Sequence, residues 1–126
     1  MYKGYITDIE GIKVGHAQNF DAGTGLTVLI PPKGNTASVD VRGGGPGTRE
    51  TDLLNPVNTV SEVSAIVLSG GSSYGLAGSV GVVEELEKDG RGFEVPSGIV
   101  PIVPQAILYD LYYKSYKIRP VKKMGS

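Results

Sequence analysis

The chain has 126 residues, 40% of them hydrophobic and 20% charged, so a single domain with a packed core fits its length. Twelve Lys and Arg against thirteen Asp and Glu leave a net charge of −1, without the basic excess of a typical nucleic-acid binder. The absence of cysteine excludes disulfides and thiolate-bound metals, and the single histidine, His16, excludes a site that needs two from this chain.

In chain order, Met1 to Tyr5 lacks the apolar core of a signal peptide, and Ile6 to Val14 reads as a strand with a turn at Glu10-Gly11. Thr24 to Ile30 alternates, as does Thr36 to Arg42, and the turn signal Pro31-Pro32-Lys33-Gly34-Asn35 between them predicts a hairpin. Thr48 to Leu54 follows a glycine loop, and Asn55-Pro56 is expected to open a short helix ending near Val63. Ser64 to Ser69 is a continuous apolar run, hence a buried strand.

A helix is predicted from about Tyr74 to Lys88, capped by Ser72 or Ser73, with Leu76, Val80 and Val83 on one stripe. Gly78 and Gly81 inside it are tolerable where a second element packs closely. Gly92 to Val95 is a short strand, and Ile99 to Val103, flanked by prolines, reads as an edge strand. Ala106 to Tyr113 alternates as a last strand, which places Tyr109 on a largely buried face with Ile107 and Leu111. Residues 1–113 are therefore taken as the domain and 114–126 as a basic tail, poorly ordered or interface-forming. The fold class is α+β: a mostly antiparallel sheet with one main helix, at about 74–88. No run reaches the roughly 18–20 apolar residues of a membrane span, so a cytoplasmic protein with no membrane or nucleic-acid partner is expected.

Glycine is the unusual residue, at 19 of 126, gathered at 42–47 and 69–75 and at Gly78 and Gly81. Gly71-Ser72-Ser73-Tyr74-Gly75 fits the G-x-S-x-G of a nucleophile elbow, between a strand and a helix. His16 lies upstream of Ser73, against the order of such triads, so a Gly/Ser cap is the better reading, and its free N–H groups still make an anion-friendly helix start. The loop Arg42 to Thr48 lacks the lysine of a phosphate-binding loop and reads as a tight turn. Arg49-Glu50-Thr51-Asp52 offers two carboxylates, read as a local Arg–carboxylate network rather than a metal site. His16 reads as a structural histidine. Asn35-Thr36 has the residue types of an autocleavage junction, but lies in the predicted hairpin and is set aside.

Four segments in register point to a family. They are Thr7-Asp8-Ile9-Glu10-Gly11-Ile12-Lys13-Val14-Gly15-His16, Val39 to Gly44 with Gly47-Thr48-Arg49-Glu50-Thr51, Leu68-Ser69-Gly70-Gly71-Ser72-Ser73-Tyr74-Gly75-Leu76, and Val100 to Pro104 running into Ile107-Leu108-Tyr109-Asp110-Leu111. Together they resemble the DmpA-like N-terminal-nucleophile aminopeptidases, whose relatives include β-peptidyl aminopeptidases and nylon-oligomer hydrolases. The resemblance implies an αββα sandwich, of which this chain is half. It also implies a precursor that cuts itself, freeing an N-terminal Ser or Thr whose own amine serves as base. That nucleophile, and the lysine and asparagine of the family's site, lie beyond the equivalent of Ser126. Lys117, Lys122 and Lys123 do not replace that lysine.

No complete catalytic set is therefore expected here. Tyr109 resembles the tyrosine that lines the family's pocket and points at the nucleophile, and Tyr74, Gly70, Gly71 and Ser72 lie near that region, as oxyanion or substrate-binding candidates. The expected partner is a C-terminal half that carries the nucleophile, or a second copy of the chain. The expected substrate is a small amide or peptide, and no cofactor or metal is expected. The alternative is a binding or structural module that keeps the half-fold without catalysis.

Overall fold

The structure, a computed structural model, describes residues 3–126. Its strands are β1 (Lys13–Asn19), β2 (Thr24–Ile30), β3 (Thr48–Arg49), β4 (Ile66–Ser69), β5 (Phe93–Val95), β6 (Gly98–Val100) and β7 (Gln105–Ile107), and its α-helix, α1, is Gly78–Lys88. A five-stranded sheet runs in the order β1-β2-β4-β7-β3, and β5 and β6 form a separate two-stranded sheet. Only β4 and β7 run parallel; the other ladders are antiparallel. The α+β class with one main helix is as the sequence predicts.

β4 buries Val67 and Ser69 on the side that α1 covers and leaves Leu68 on the opposite face. Ala65, Val67 and Val103 pack on Val82 and Leu86, with Val28, Ile30 and Val83 around them. Fully burying a Val or Leu side chain, as at Val67, Val82, Leu86 and Val103, contributes about 1.5–3 kcal/mol. A second cluster, Leu54, Val63 and Ile102 with Ala37, Leu53, Val60 and Ile66, lies under the segment that leads into β4.

Several local expectations change. Thr24–Ile30 does not pair with 36–42: β2 lies between β1 and β4. The Asn35 side chain bonds the backbone of Val63 at 3.0 Å in both directions, and Ala37 N–H donates to the Ser61 carbonyl. The alternation of 36–42 therefore serves packing of Ala37, with Val39 and Val41 left exposed and no ladder formed. The opening strand starts at Lys13, after a 3-10 turn at Ile6–Asp8 where the Asp8 carboxylate accepts from Gly4 and Tyr5 N–H. A 3-10 turn at Asp52–Leu54 replaces the predicted helix after Asn55.

The main helix begins as a 3-10 turn, Ser72–Ala77, and turns α-helical at Gly78. Gly71, in the left-handed region, occupies the cap position, and no serine side chain caps the turn. Gly78, Ser79, Gly81, Val82 and Leu86 are the buried residues, while Val80 is exposed, so the inward stripe is offset from the predicted one. The glycines account for the offset. A Cβ on Gly81 would collide with the Lys122 carbonyl, and one on Gly125 with the Gly78 carbonyl. The 3-10 turn Lys122–Met124 thus lies against α1, and Lys122 pairs with Glu84 at 2.6 Å. In the last turn of α1 a hydrogen bond from Lys88 to Glu85 raises the lysine's pKa above its ordinary value.

The predicted edge strand 99–103 divides. Gly98–Val100 joins the small sheet, while Pro101 to Pro104 is buried and bonds to the β4 segment, Ser64 N–H to Ile102 O at 2.8 Å and Val67 N–H to Pro104 O at 3.0 Å. Proline is accommodated because carbonyls, not prolyl nitrogens, make these bonds. The predicted last strand ends at Ile107, and a turn closes from Asp110 O to Tyr113 N–H.

Candidate functional site

The face of the sheet away from α1 is bare along one row. The register sets His16 of β1 beside Thr27 of β2, Thr27 beside Leu68 of β4, Leu68 beside Ala106 of β7, and Ala106 beside Thr48 of β3. Leu68 is 55% exposed. The polar members are already paired: His16 Nδ1 lies 2.8 Å from Thr27 Oγ1, and Thr48 Oγ1 lies 2.9 Å from Thr51 Oγ1. Further burial of the row leaves the Thr27 and Thr48 hydroxyls and His16 Nδ1 with partners.

Two hollows flank this row, of about 550 Å³ and about 430 Å³, and both are lined by Leu68, Ala106 and Ile107. The larger opens between the β1–β2 turn and the Ser69-Gly70 turn, with Phe20, Asp110 and Tyr113 on its wall. The smaller lies under the 39–48 loop, whose Val39 and Val41 face it.

The candidate residues of the glycine turn come together with the segment after β7. Leu108 N–H donates to Ser69 O at 2.8 Å, and Ser72 N–H to Leu108 O at 2.9 Å. Gly71 N–H donates to Asp110 Oδ1 at 2.7 Å, and Thr24 Oγ1 donates to Asp110 Oδ2 at 3.0 Å. A Cβ on Gly70 would collide with that carboxylate, so glycine is required there. Gly71 has φ 86°, a left-handed conformation natural to glycine, and Ser72 follows at φ 54°. On the inner side, buried Gln105 donates from Nε2 to Ser69 Oγ and to Gly75 O, both at 2.8 Å.

Tyr109 is placed differently from expectation. It is 66% exposed rather than buried, since the strand stops two residues before it. Its ring leans on Tyr112, 5.8 Å between centroids, and its hydroxyl has no protein partner among the described residues. Tyr74 is also exposed, and the Arg119 guanidinium lies over its ring at 3.8 Å. Ser73 is exposed at the turn, without a base against it among the described residues.

The 49–52 segment does not form the expected Arg–carboxylate network. Its side chains diverge because Glu50 has φ 56°. Arg49 Nη1 donates to Ser79 Oγ, while Glu50 Oε2 accepts from Val103 N–H. Among the described residues no cluster of three metal-binding side chains occurs.

Sequence reading missed Asp110, Thr24 and Gln105. Gln105 had one legible signal: it is the single polar side chain between Val100 and Leu108. Asp110 stood inside a quoted motif, but nothing in its spacing linked it to Gly71.

Comparison with known proteins agrees with the resemblance. The model of peptidase family S58 matches residues 4–123. An uncharacterized aminopeptidase of Mycobacterium tuberculosis is 48% identical over 128 residues, which are 95% of this chain and 37% of the relative. A 6-aminohexanoate-oligomer endohydrolase of Kocuria sp. is 33% identical over 122 residues, 94% of this chain and 31% of that enzyme. The chain thus spans about a third of the length of the curated relatives it matches.

Proposed function

This chain belongs to peptidase family S58, and we propose that it is the N-terminal portion of an autoprocessing cytoplasmic hydrolase of amide bonds. Its substrates are small peptides, amino-acid amides or related oligoamides, in keeping with the aminopeptidase and oligomer-hydrolase names of its relatives. The nucleophile is a Ser or Thr freed at the N-terminus of a C-terminal portion, with its own amine as the base. Tyr109 serves that site as an oxyanion donor, beside the Gly70–Tyr74 turn.

The bare row from His16 to Thr48 carries this reading. It crosses the whole sheet, carries the exposed Leu68 and Ala106 between the bonded His16–Thr27 pair and Thr48, and is flanked by two hollows. A face of that kind is covered in the working molecule, and the occupant we assign is the C-terminal portion that brings the nucleophile. His16 and Thr27 are within hydrogen-bond reach, as a base and a hydroxyl nucleophile must be. They lack a third group to orient the imidazole, since no hydrogen bond reaches His16 Nε2 among the described residues, and we read them as a cross-strand pair.

The test joins or mixes the chain with the C-terminal region of its own polypeptide and assays an amino-acid p-nitroanilide and a 6-aminohexanoate oligomer. Turnover by the combination, and none by either part, is the expected result. The non-catalytic module is favoured instead if the combination forms a stable complex yet hydrolyses neither.

A further inference from the structure

Tyr109 has an unusual setting: its backbone is held on both sides while its hydroxyl has no hydrogen-bond partner among the described residues. Leu108, before it, has its N–H and its carbonyl both bonded to the Ser69–Ser72 turn. Asp110, after it, uses one carboxylate oxygen on Gly71 N–H at 2.7 Å and the other on the Thr24 hydroxyl at 3.0 Å. A carboxylate accepting from a backbone N–H makes roughly twice as strong a bond as a neutral acceptor. With both oxygens engaged, the Asp110 side chain is fixed about two axes. Gly70 leaves the space its carboxylate occupies, and Gly71 takes the left-handed backbone that aims the N–H at Oδ1.

We propose that Asp110 is a positioning residue: its carboxylate ties the β2 start, the Gly70-Gly71 turn and the segment after β7 into one unit, and so sets where Tyr109 stands. Gln105 holds the far end of the same turn through Ser69 and Gly75. The clamp lies beside the larger hollow, which Asp110 and Thr24 both line. The proposal rests on the hydrolase reading only for its effect on catalysis; the clamp itself is a property of this chain.

The test pairs kinetics of the complete protein with amide hydrogen exchange in the 126-residue chain. Misplacing a catalytic group by about 1 Å can cost about 100-fold. Asp110→Ala is expected to lower kcat by about 10- to 100-fold while KM stays within about threefold, and to expose the Gly71 amide to exchange. Asp110→Asn keeps an acceptor for Gly71 N–H, and is expected to hold both readouts within about threefold of the parent protein. Unchanged kcat in Asp110→Ala, or equal losses in Asp110→Ala and Asp110→Asn, overturns the proposal. Should Asp110→Ala fail to fold, Thr24→Val replaces the hydroxyl on Oδ2 with a methyl group that cannot donate. Faster exchange at Gly71 with a lowered kcat then supports the clamp, and unchanged values overturn it. If the complete parent protein is inactive, the hydrolase reading falls alone. Gly71 protection then decides the clamp: its loss in Asp110→Ala with retention in Asp110→Asn supports it, and any other pattern overturns it.

Discussion

The two faces of the five-stranded sheet differ in how finished they are. On one, Val67 and Val103 meet Val82 and Leu86, and every member of the cluster is buried. On the other, Leu68 lies one residue from Val67 and is 55% exposed, in a row where His16 bonds Thr27 and Thr48 bonds Thr51. The same strand supplies both, because successive side chains point to opposite faces. The closed face explains why the chain folds. The open face carries the proposal that folding is followed by a second docking event.

The comparison is tested first where it predicts the largest loss. Leu86→Ala empties a buried site on the closed face and is expected to destabilise the 126-residue chain by about 2–5 kcal/mol in urea unfolding. Tyr109→Phe comes next. In the complete protein, loss of the proposed oxyanion donor is expected to cost about 100- to 1000-fold in kcat, whereas the stability of the isolated chain should be untouched because the hydroxyl has no protein partner among the described residues. A change under about threefold assigns Tyr109 to packing.

Smaller effects on stability belong to the open face. Leu68→Asp is expected to shift the isolated chain from self-associated to monomeric in sedimentation at high concentration, with unfolding free energy changed by less than about 1 kcal/mol. A parent chain that is already monomeric under those conditions removes the apolar face as a driver of association. The smallest expectation is for Ser73→Ala. Hydrolysis by the complete protein should be unchanged, since Ser73 sits exposed with no base beside it among the described residues. A complete loss revives the elbow reading of Gly71–Gly75.

Legibility in the sequence followed locality. β4 and the end of α1 could be read because a continuous apolar run and a charged helix end are local signals. The 36–42 segment could not. Its alternation is real, but whether it pairs is decided by Asn35 reaching Val63, 28 residues away. The end of β7 was misjudged for the same reason: the period-2 pattern runs on to Tyr113, yet the Asp110 carboxylate draws the chain toward Gly71 and into a turn. The helical glycines mark close packing as the sequence predicts, and the structure identifies what packs there: the Lys122–Gly125 backbone at Gly81 and the Leu26 side chain at Gly78. The site was legible as a set of motifs and illegible as a connection, since the bond from Asp110 to Gly71 spans 39 residues.

One measurement bears most directly on the proposal that this chain is one part of a catalytic unit. Amide hydrolysis is followed for the purified 126-residue chain alone and for the same chain with the C-terminal region of its polypeptide, on one amino-acid p-nitroanilide. The account predicts no turnover by the chain alone and turnover by the combination that Leu68→Asp abolishes. Turnover by the chain alone, or turnover by the combination that survives Leu68→Asp at the parent rate, contradicts it.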